Sequence, residues 1–145
     1  VKGIEFVFSV GGDDKKNSSS WILKEYKYYS EDRVWGKFYN LFTDDVLKVK
    51  ELIILPKKGL SFQRHKHRSE MFFVSKGSCL VNYSEGHSDE FKTLQYSKDE
   101  TFFVKKNAWH QLINPNETPC HLIEIQYGAK TSEDDIERLR YYEKN

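Results

Sequence analysis

Neither sign of charge is in excess. Lysine and arginine number 23 against 22 aspartates and glutamates, a formal net charge of +1, so the chain lacks the basic surplus of a nucleic-acid or membrane-surface binder. Cysteine is scarce: Cys79 and Cys120 lie far apart without metal-ligand spacing. They read as free thiols of a reducing compartment rather than as a disulfide framework. No apolar run is long enough to cross a bilayer and no signal peptide opens the chain, so a cytoplasmic protein without a membrane partner is expected. The first residue is valine, which fits a start inside a longer polypeptide. Internal repeats are absent, and the serine triplet 18–20 is the one low-complexity stretch.

Aromatic residues, by contrast, make up 15% of 145 residues. Large rings bury much area each, so a single small domain can build a core. Residues 1–30 differ from the rest and are expected to be an N-terminal extension, the end of an upstream domain, with the main domain over 31–145. IEFVF (4–8) reads as a strand, GGDDKKNSSS (11–20) as a loop, and WILKEYKYY (21–29) as either helix or strand. From Arg33 onward, short β-branched or aromatic runs follow one another: VWGKFYNLF, VLKVKELIIL, LSFQRH, EMFFV, CLVNY, FKTLQY, TFFVK, HQLIN and CHLIEIQYG. Turn formers separate them at the spacing of a β-sandwich or barrel. In LKVKELIIL, Leu47, Val49, Glu51 and Ile53 share one face, and Lys48, Lys50, Leu52 and Ile54 the other. At the end, Thr131 or Ser132 caps an expected short C-terminal helix with Glu133, Asp134 and Asp135 in its first turn, packing Ile136 and Leu139 on the barrel.

The stretch Gly59–Gly77, GLSFQRHKHRSEMFFVSKG, holds His65, His67 and Glu70 within six residues, and His110 follows in NAWHQLINP. Residues i and i+2 of a strand share a face, so His65 and His67 are expected to point inward together. Read alone, H-x-H followed by glutamate fits a metal site and ordinary histidines equally. His110 at the head of another strand tips the reading towards one divalent ion, with Zn, Mn, Fe, Co and Ni not distinguishable. His87 reads as a loop residue and His121 as an ordinary sheet residue. Gln63, two residues before His65, shares its face and either meets a ligand or is satisfied by backbone. Lys50 and Arg138 are candidate phosphate or carboxylate partners, with plain surface charge as the alternative. Lys57, Lys58, Arg64, Lys66 and Arg68 form a basic neighbourhood, read either as a solvated face or as phosphate attraction. Glu51 and Tyr83 are further residues that could reach the cavity.

Gly59, His65, His67, Glu70 and Gly77 match the first cupin motif: glycine, five residues, H-x-H, a gap, glutamate, six residues, glycine. The gap is shorter than in most cupins and resembles that of type II phosphomannose isomerases, including the isomerase half of bifunctional enzymes that also carry a mannose-1-phosphate guanylyltransferase. RVWG (33–36), KVKELIILPKKGLSFQRHKHRSE (48–70), HQLINP (110–115) and LIEIQYGAKTSEDDIERL (122–139) are similar to that family's blocks in the same order. The resemblance implies an all-β cupin barrel, the metal ligands His65, His67, Glu70 and His110, and a phosphosugar or nucleotide-sugar ligand. It further implies metal-dependent interconversion of mannose 6-phosphate and fructose 6-phosphate through an enediolate. A departure from the family lies at Met71, where it has histidine. The tail departs as well, ending RYYEKN, with Tyr142 where the family has a second arginine. These departures support the alternative, a non-catalytic metal- and sugar-binding cupin attached to a sugar-nucleotide pathway enzyme. The second motif's glycine turn is replaced by Lys105-Lys106-Asn107, and Asn107 is expected to take the left-handed conformation. A homodimer is expected, because cupins relieve unpaired strand edges by association.

Overall fold

Period-two alternation of apolar and polar side chains produces eleven strands in the computed structural model, which describes residues 22–143. They are β1 (Ser30–Arg33), β2 (Gly36–Thr43), β3 (Leu47–Ile54), β4 (Phe62–Arg64), β5 (Arg68–Lys76), β6 (Ser78–Ser84), β7 (Lys92–Ser97), β8 (Thr101–Val104), β9 (Trp109–Ile113), β10 (Cys120–Gly128) and β11 (Glu137–Arg140). A six-stranded sheet has the order β1-β2-β3-β10-β5-β8, and a five-stranded sheet the order β11-β4-β9-β6-β7. The all-β expectation holds, and the runs named from the sequence become β2 through β10. Residues 22–27 form a single helical stretch, which decides that segment between its two readings. The expected strand 4–8 and loop 11–20 lie outside the described residues.

The two sheets face each other across a shared core. Leu52 and Ile54 of β3, Leu122 and Cys120 of β10, and Phe72 and Val74 of β5 are buried on the inner face of the larger sheet. Cys79 and Val81 of β6 and Leu112 of β9 meet them from the smaller one. Cys79 and Cys120 are free buried thiols. Phe72 and Phe102 stack with centroids 4.8 Å apart, which closes the core at the β8 edge. Tight turns fix where strands end: Gly77 at φ 80° links β5 to β6, and Asn107 at φ 64° takes the expected left-handed conformation before β9.

The C-terminal helix does not form. Its acidic first turn has stronger partners elsewhere: Glu133 meets Lys48 and Lys50, and the Asp135 carboxylate accepts from the backbone N–H of Lys66 and His67. The chain then runs on as β11, antiparallel to β4. Ile136 is half-buried, but Leu139 stays 48% exposed instead of packing on the barrel. Local capping signals lose here to ion pairs formed some eighty residues away in sequence.

Candidate metal centre

His65, Glu70 and His110 converge. Each offers a ligand atom, these atoms all lie within 4.8 Å of one another, and all three residues are buried. His65 follows β4, Glu70 lies on the inner face of β5 and His110 on the inner face of β9, so the cluster spans both sheets. His65 Nε2 and His110 Nε2 each stand 3.1 Å from a different carboxylate oxygen of Glu70.

The second nitrogen of each ring fixes what the first can do. His65 Nδ1 lies 2.6 Å from the Asp135 carbonyl oxygen, and His110 Nδ1 lies 3.1 Å from the Ala108 carbonyl oxygen. A carbonyl only accepts, so both Nδ1 atoms carry the hydrogen, and in the neutral rings both Nε2 atoms present a lone pair to Glu70. Lone pairs facing a carboxylate repel unless a positive charge sits among them. Glu70 Oε2 and His110 Nε2 make no hydrogen bond although both are buried. Imidazoles whose outer nitrogen donates to a backbone carbonyl are the usual arrangement of metal-bound histidine. Arg68 supplies positive charge on the Glu70 Oε1 and His65 side but not to Glu70 Oε2 and His110 Nε2. The donor set therefore fits a divalent cation held by His65, Glu70 and His110, with a proton as the other charge that satisfies it. Burial pulls the His65 pKa down, but the Glu70 carboxylate more than reverses this and leaves it raised. Burial likewise pushes Glu70 up, and the two histidines overcome it, holding the acid well below the usual carboxylate range.

The expected four-ligand set thus contracts to three. His67 is exposed and lines a surface depression with Arg64, Lys66 and Lys130. The i, i+2 rule fails because the strand ends at Arg64: the Asp135 carboxylate draws the N–H groups of Lys66 and His67 around it at 2.9 and 3.0 Å, and this bend turns His67 away. Arg68 takes the inward place instead. Its side chain is buried, Nε donates to Glu70 Oε1 at 3.1 Å, and one terminal nitrogen donates to the Ser132 carbonyl at 3.0 Å. The other terminal nitrogen stands 3.5 Å from His65 Nε2. The sequence placed Arg68 in a basic neighbourhood, either a solvated face or one that attracts phosphate, although its two-residue spacing from Glu70 was the signal for an inward position.

Around this cluster the inner face is polar. Gln126 lies opposite both Lys48 and Glu70, and Glu124 lies opposite both Lys50 and Phe72. All four polar neighbours, Lys48, Lys50, Glu124 and Gln126, are buried. Burial, with the Glu70 charge added, pushes Glu124 up to about 7 against the pull of Lys50 and Arg68. On the smaller sheet, register aligns Arg138, Gln63, His110 and Tyr83 across four strands. Gln63 accepts from the Ser61 hydroxyl at 2.7 Å, and Arg138 is exposed at the end of the row. Tyr83 donates to Glu85 at 3.0 Å, and Glu51 turns to the outer face, where Lys24 and His121 hold it. The segment 131–135 straps this polar end. Lys48 Nζ donates to the Thr131 carbonyl at 2.9 Å, and Asp135 supplies the contacts to His65 and to the bend at 66–67.

With fold and cluster in place, comparison with known proteins decides the family. The family model described as "Mannose-6-phosphate isomerase C-terminal" matches residues 23–141. The chain belongs to this family of cupins. Among solved structures, oxalate decarboxylase from Bacillus subtilis superposes with a TM-score of 0.69 at 12% identity, over 79% of this chain and 30% of that one. The Cnp3 cupin domain of Schizosaccharomyces pombe gives 0.57 at 17% identity, over 63% and 64%. At these identities the likeness concerns the cupin fold. Among curated relatives, mannose-1-phosphate guanylyltransferase 2 of Escherichia coli O157:H7 is 36% identical over 108 residues, 74% of the cupin but 21% of the relative. Other relatives carry the guanylyltransferase name or are named for alginate or xanthan biosynthesis, and the cupin again spans about a fifth to a quarter of their length. These relatives are enzymes of mannose-related carbohydrate metabolism. The isomerase reading is thereby corrected: the relatives are guanylyltransferases that match the cupin over one domain, a pattern that fits a module rather than phosphomannose isomerase catalysis. The motif identified the fold correctly, but a fold does not carry a reaction with it.

Proposed function

We propose that this cupin is a non-catalytic metal- and sugar-binding module attached to a sugar-nucleotide pathway enzyme of the cytoplasm, with residues 31–145 as the module and 1–30 as its junction to an upstream domain. One observation carries the reading: two imidazoles with their outer nitrogens tied to backbone carbonyls aim their free lone pairs at one buried carboxylate. His65, Glu70 and His110 hold a divalent ion, and Arg68 steadies Glu70 from the side. When bound, the ion supplies positive charge for an oxygen-bearing ligand. Gln63, Lys50 and Arg138 face that ligand, a sugar phosphate or nucleotide sugar. The departure in the tail agrees with binding in place of turnover, whereas Met71 lies on the outer face of β5, away from the cluster.

Calorimetric titration with zinc and manganese tests the ion. Titration of the loaded protein with mannose 1-phosphate and with a nucleotide sugar tests the ligand. Binding of both without conversion is the expected result, and formation of a new sugar phosphate in the mixture would overturn the non-catalytic reading. A homodimer accompanies this proposal. Phe42, Val49, Ile125, Met71 and Phe103 are in register across five strands of the larger sheet's outer face, with Phe42 50% and Phe103 60% exposed. Light scattering of Phe103→Glu should show a monomer where the wild type is a dimer.

A further inference from the structure

Lys48 and Lys50 are neighbouring inward positions of β3, and their side chains are only 9% and 6% exposed. Both ammonium groups meet the same oxygen, Glu133 Oε1, at 3.1 and 2.6 Å. Lys48 has a second acceptor in the Thr131 carbonyl, whereas Lys50 otherwise lies over the Phe38 ring at 4.5 Å. Two buried ammonium groups without an anion would be strongly unfavourable. Glu124 on the barrel wall lies opposite Lys50, but the carboxylate that both ammonium groups contact does not belong to the wall. Glu133 comes from the strap, and its side chain is 60% exposed.

The strap is built so that this one side chain can leave. Asp135 N–H donates to the Ser132 carbonyl at 3.1 Å, which places Glu133 at a turn position. The contacts that anchor the strap belong to its neighbours: Thr131 and Ser132 accept from Lys48 and Arg68, and Asp135 holds the 66–67 bend. Rotation of the Glu133 side chain into solvent breaks none of them. It exposes two ammonium groups that converge on one oxygen, a geometry suited to a phosphate oxygen and less so to a neutral hydroxyl.

We propose that Lys48 and Lys50 form an anion subsite for the phosphate of a sugar-phosphate ligand, and that Glu133 fills it as an internal competitor which the ligand displaces. The proposal rests on the reading of the barrel's polar end as a ligand site, and it adds the group that regulates access to it. Glu133 therefore weakens ligand binding while stabilising the ligand-free protein, a trade-off that a purely structural ion pair does not make.

Titration with inorganic phosphate, followed by calorimetry and by thermal melting, tests this in the wild type, Glu133→Gln, Glu133→Asp and Glu133→Gln with Lys50→Met. Glu133→Gln should bind phosphate about tenfold tighter than wild type, the worth of one charge-assisted hydrogen bond no longer lost to the competitor. Phosphate should also raise its melting temperature by more than that of wild type. Glu133→Asp, which keeps the charge but shortens the reach, should fall between the two. Adding Lys50→Met should abolish the gain. Mannose 1-phosphate in place of inorganic phosphate should reproduce the order. Equal or weaker phosphate binding by Glu133→Gln would overturn the proposal, and so would a gain that survives Lys50→Met. Zinc binding measured on the same samples keeps the two readings apart: its absence from wild type would sink the metal module and leave the phosphate result standing.

Discussion

Along β3 two inward lysines are followed by two inward aliphatics, Lys48 and Lys50, then Leu52 and Ile54. β10 repeats the pattern in the opposite direction, with Cys120 and Leu122 before Glu124 and Gln126, and β5 places Arg68 and Glu70 before Phe72 and Val74. Antiparallel pairing gathers the polar halves at one end of the barrel and the apolar halves at the other. The ends obey different energetics. At the apolar end, burial removes hydrocarbon from water and each side chain contributes separately. At the polar end, every charge depends on a partner, and loss of one strands the next. The lesson is that this interior has a folding half and a binding half, written on the same strands.

Four changes would sharpen or break that division. Phe72→Ala, in the apolar half, should cost about 3–5 kcal/mol in denaturant unfolding, while the folded fraction still binds zinc. Loss of zinc binding along with stability would show that the halves are not separable. Glu124→Gln should act in the other direction. Because burial and the Glu70 charge push the Glu124 carboxyl up to about 7 against Lys50, Arg68 and Gln126, the folded protein keeps a proton that the unfolded chain releases near its ordinary 4.5. Wild-type stability therefore falls as pH rises through this window, and the full cost is present above pH 7. Glutamine, which cannot ionise, should be more stable than wild type above pH 7 by about 3 kcal/mol and nearly equal to it below pH 4.5, as measured by unfolding across pH.

His110→Ala removes one of three converging donors and should weaken zinc binding by about a hundredfold, roughly 2.7 kcal/mol, in calorimetric titration. Its melting temperature without metal should change far less than that of Phe72→Ala. Unchanged zinc affinity would remove His110 from the site. Asp135→Asn gives the smallest effect, about 1 kcal/mol of stability. One of the two N–H groups at the 66–67 bend then faces an NH2 donor and the other keeps only a neutral acceptor, so backbone amide exchange at Lys66 and His67 should quicken.

Alternation made most of the barrel legible. The even positions of LKVKELIIL do face inward, and turn formers bound the strands where the sequence places them. Glu70 and His110 were legible for the same reason, since each sits on a regular strand. His67 was not, because its direction is set by Asp135, far along the chain, and no local pattern records that bend. The C-terminal segment misled in the same way: Glu133 and Asp135 look like a helix's first turn, yet their charges are claimed by β3 and by the chain after β4. Arg68 was legible in principle, two residues before Glu70 on β5, but its charge argued for the surface until its partners were visible.

The inward residues of the polar end stand apart from the hydrocarbon core along the same strands, so each strand carries recognition addresses separate from its folding positions. Exchange at 48, 50, 124 or 126 would change which guest the vessel welcomes, and the shell fastened by Leu52, Ile54, Leu122 and Phe72 would remain as it is. A lineage, or a designer, can thus retune recognition without reopening the question of how the chain folds.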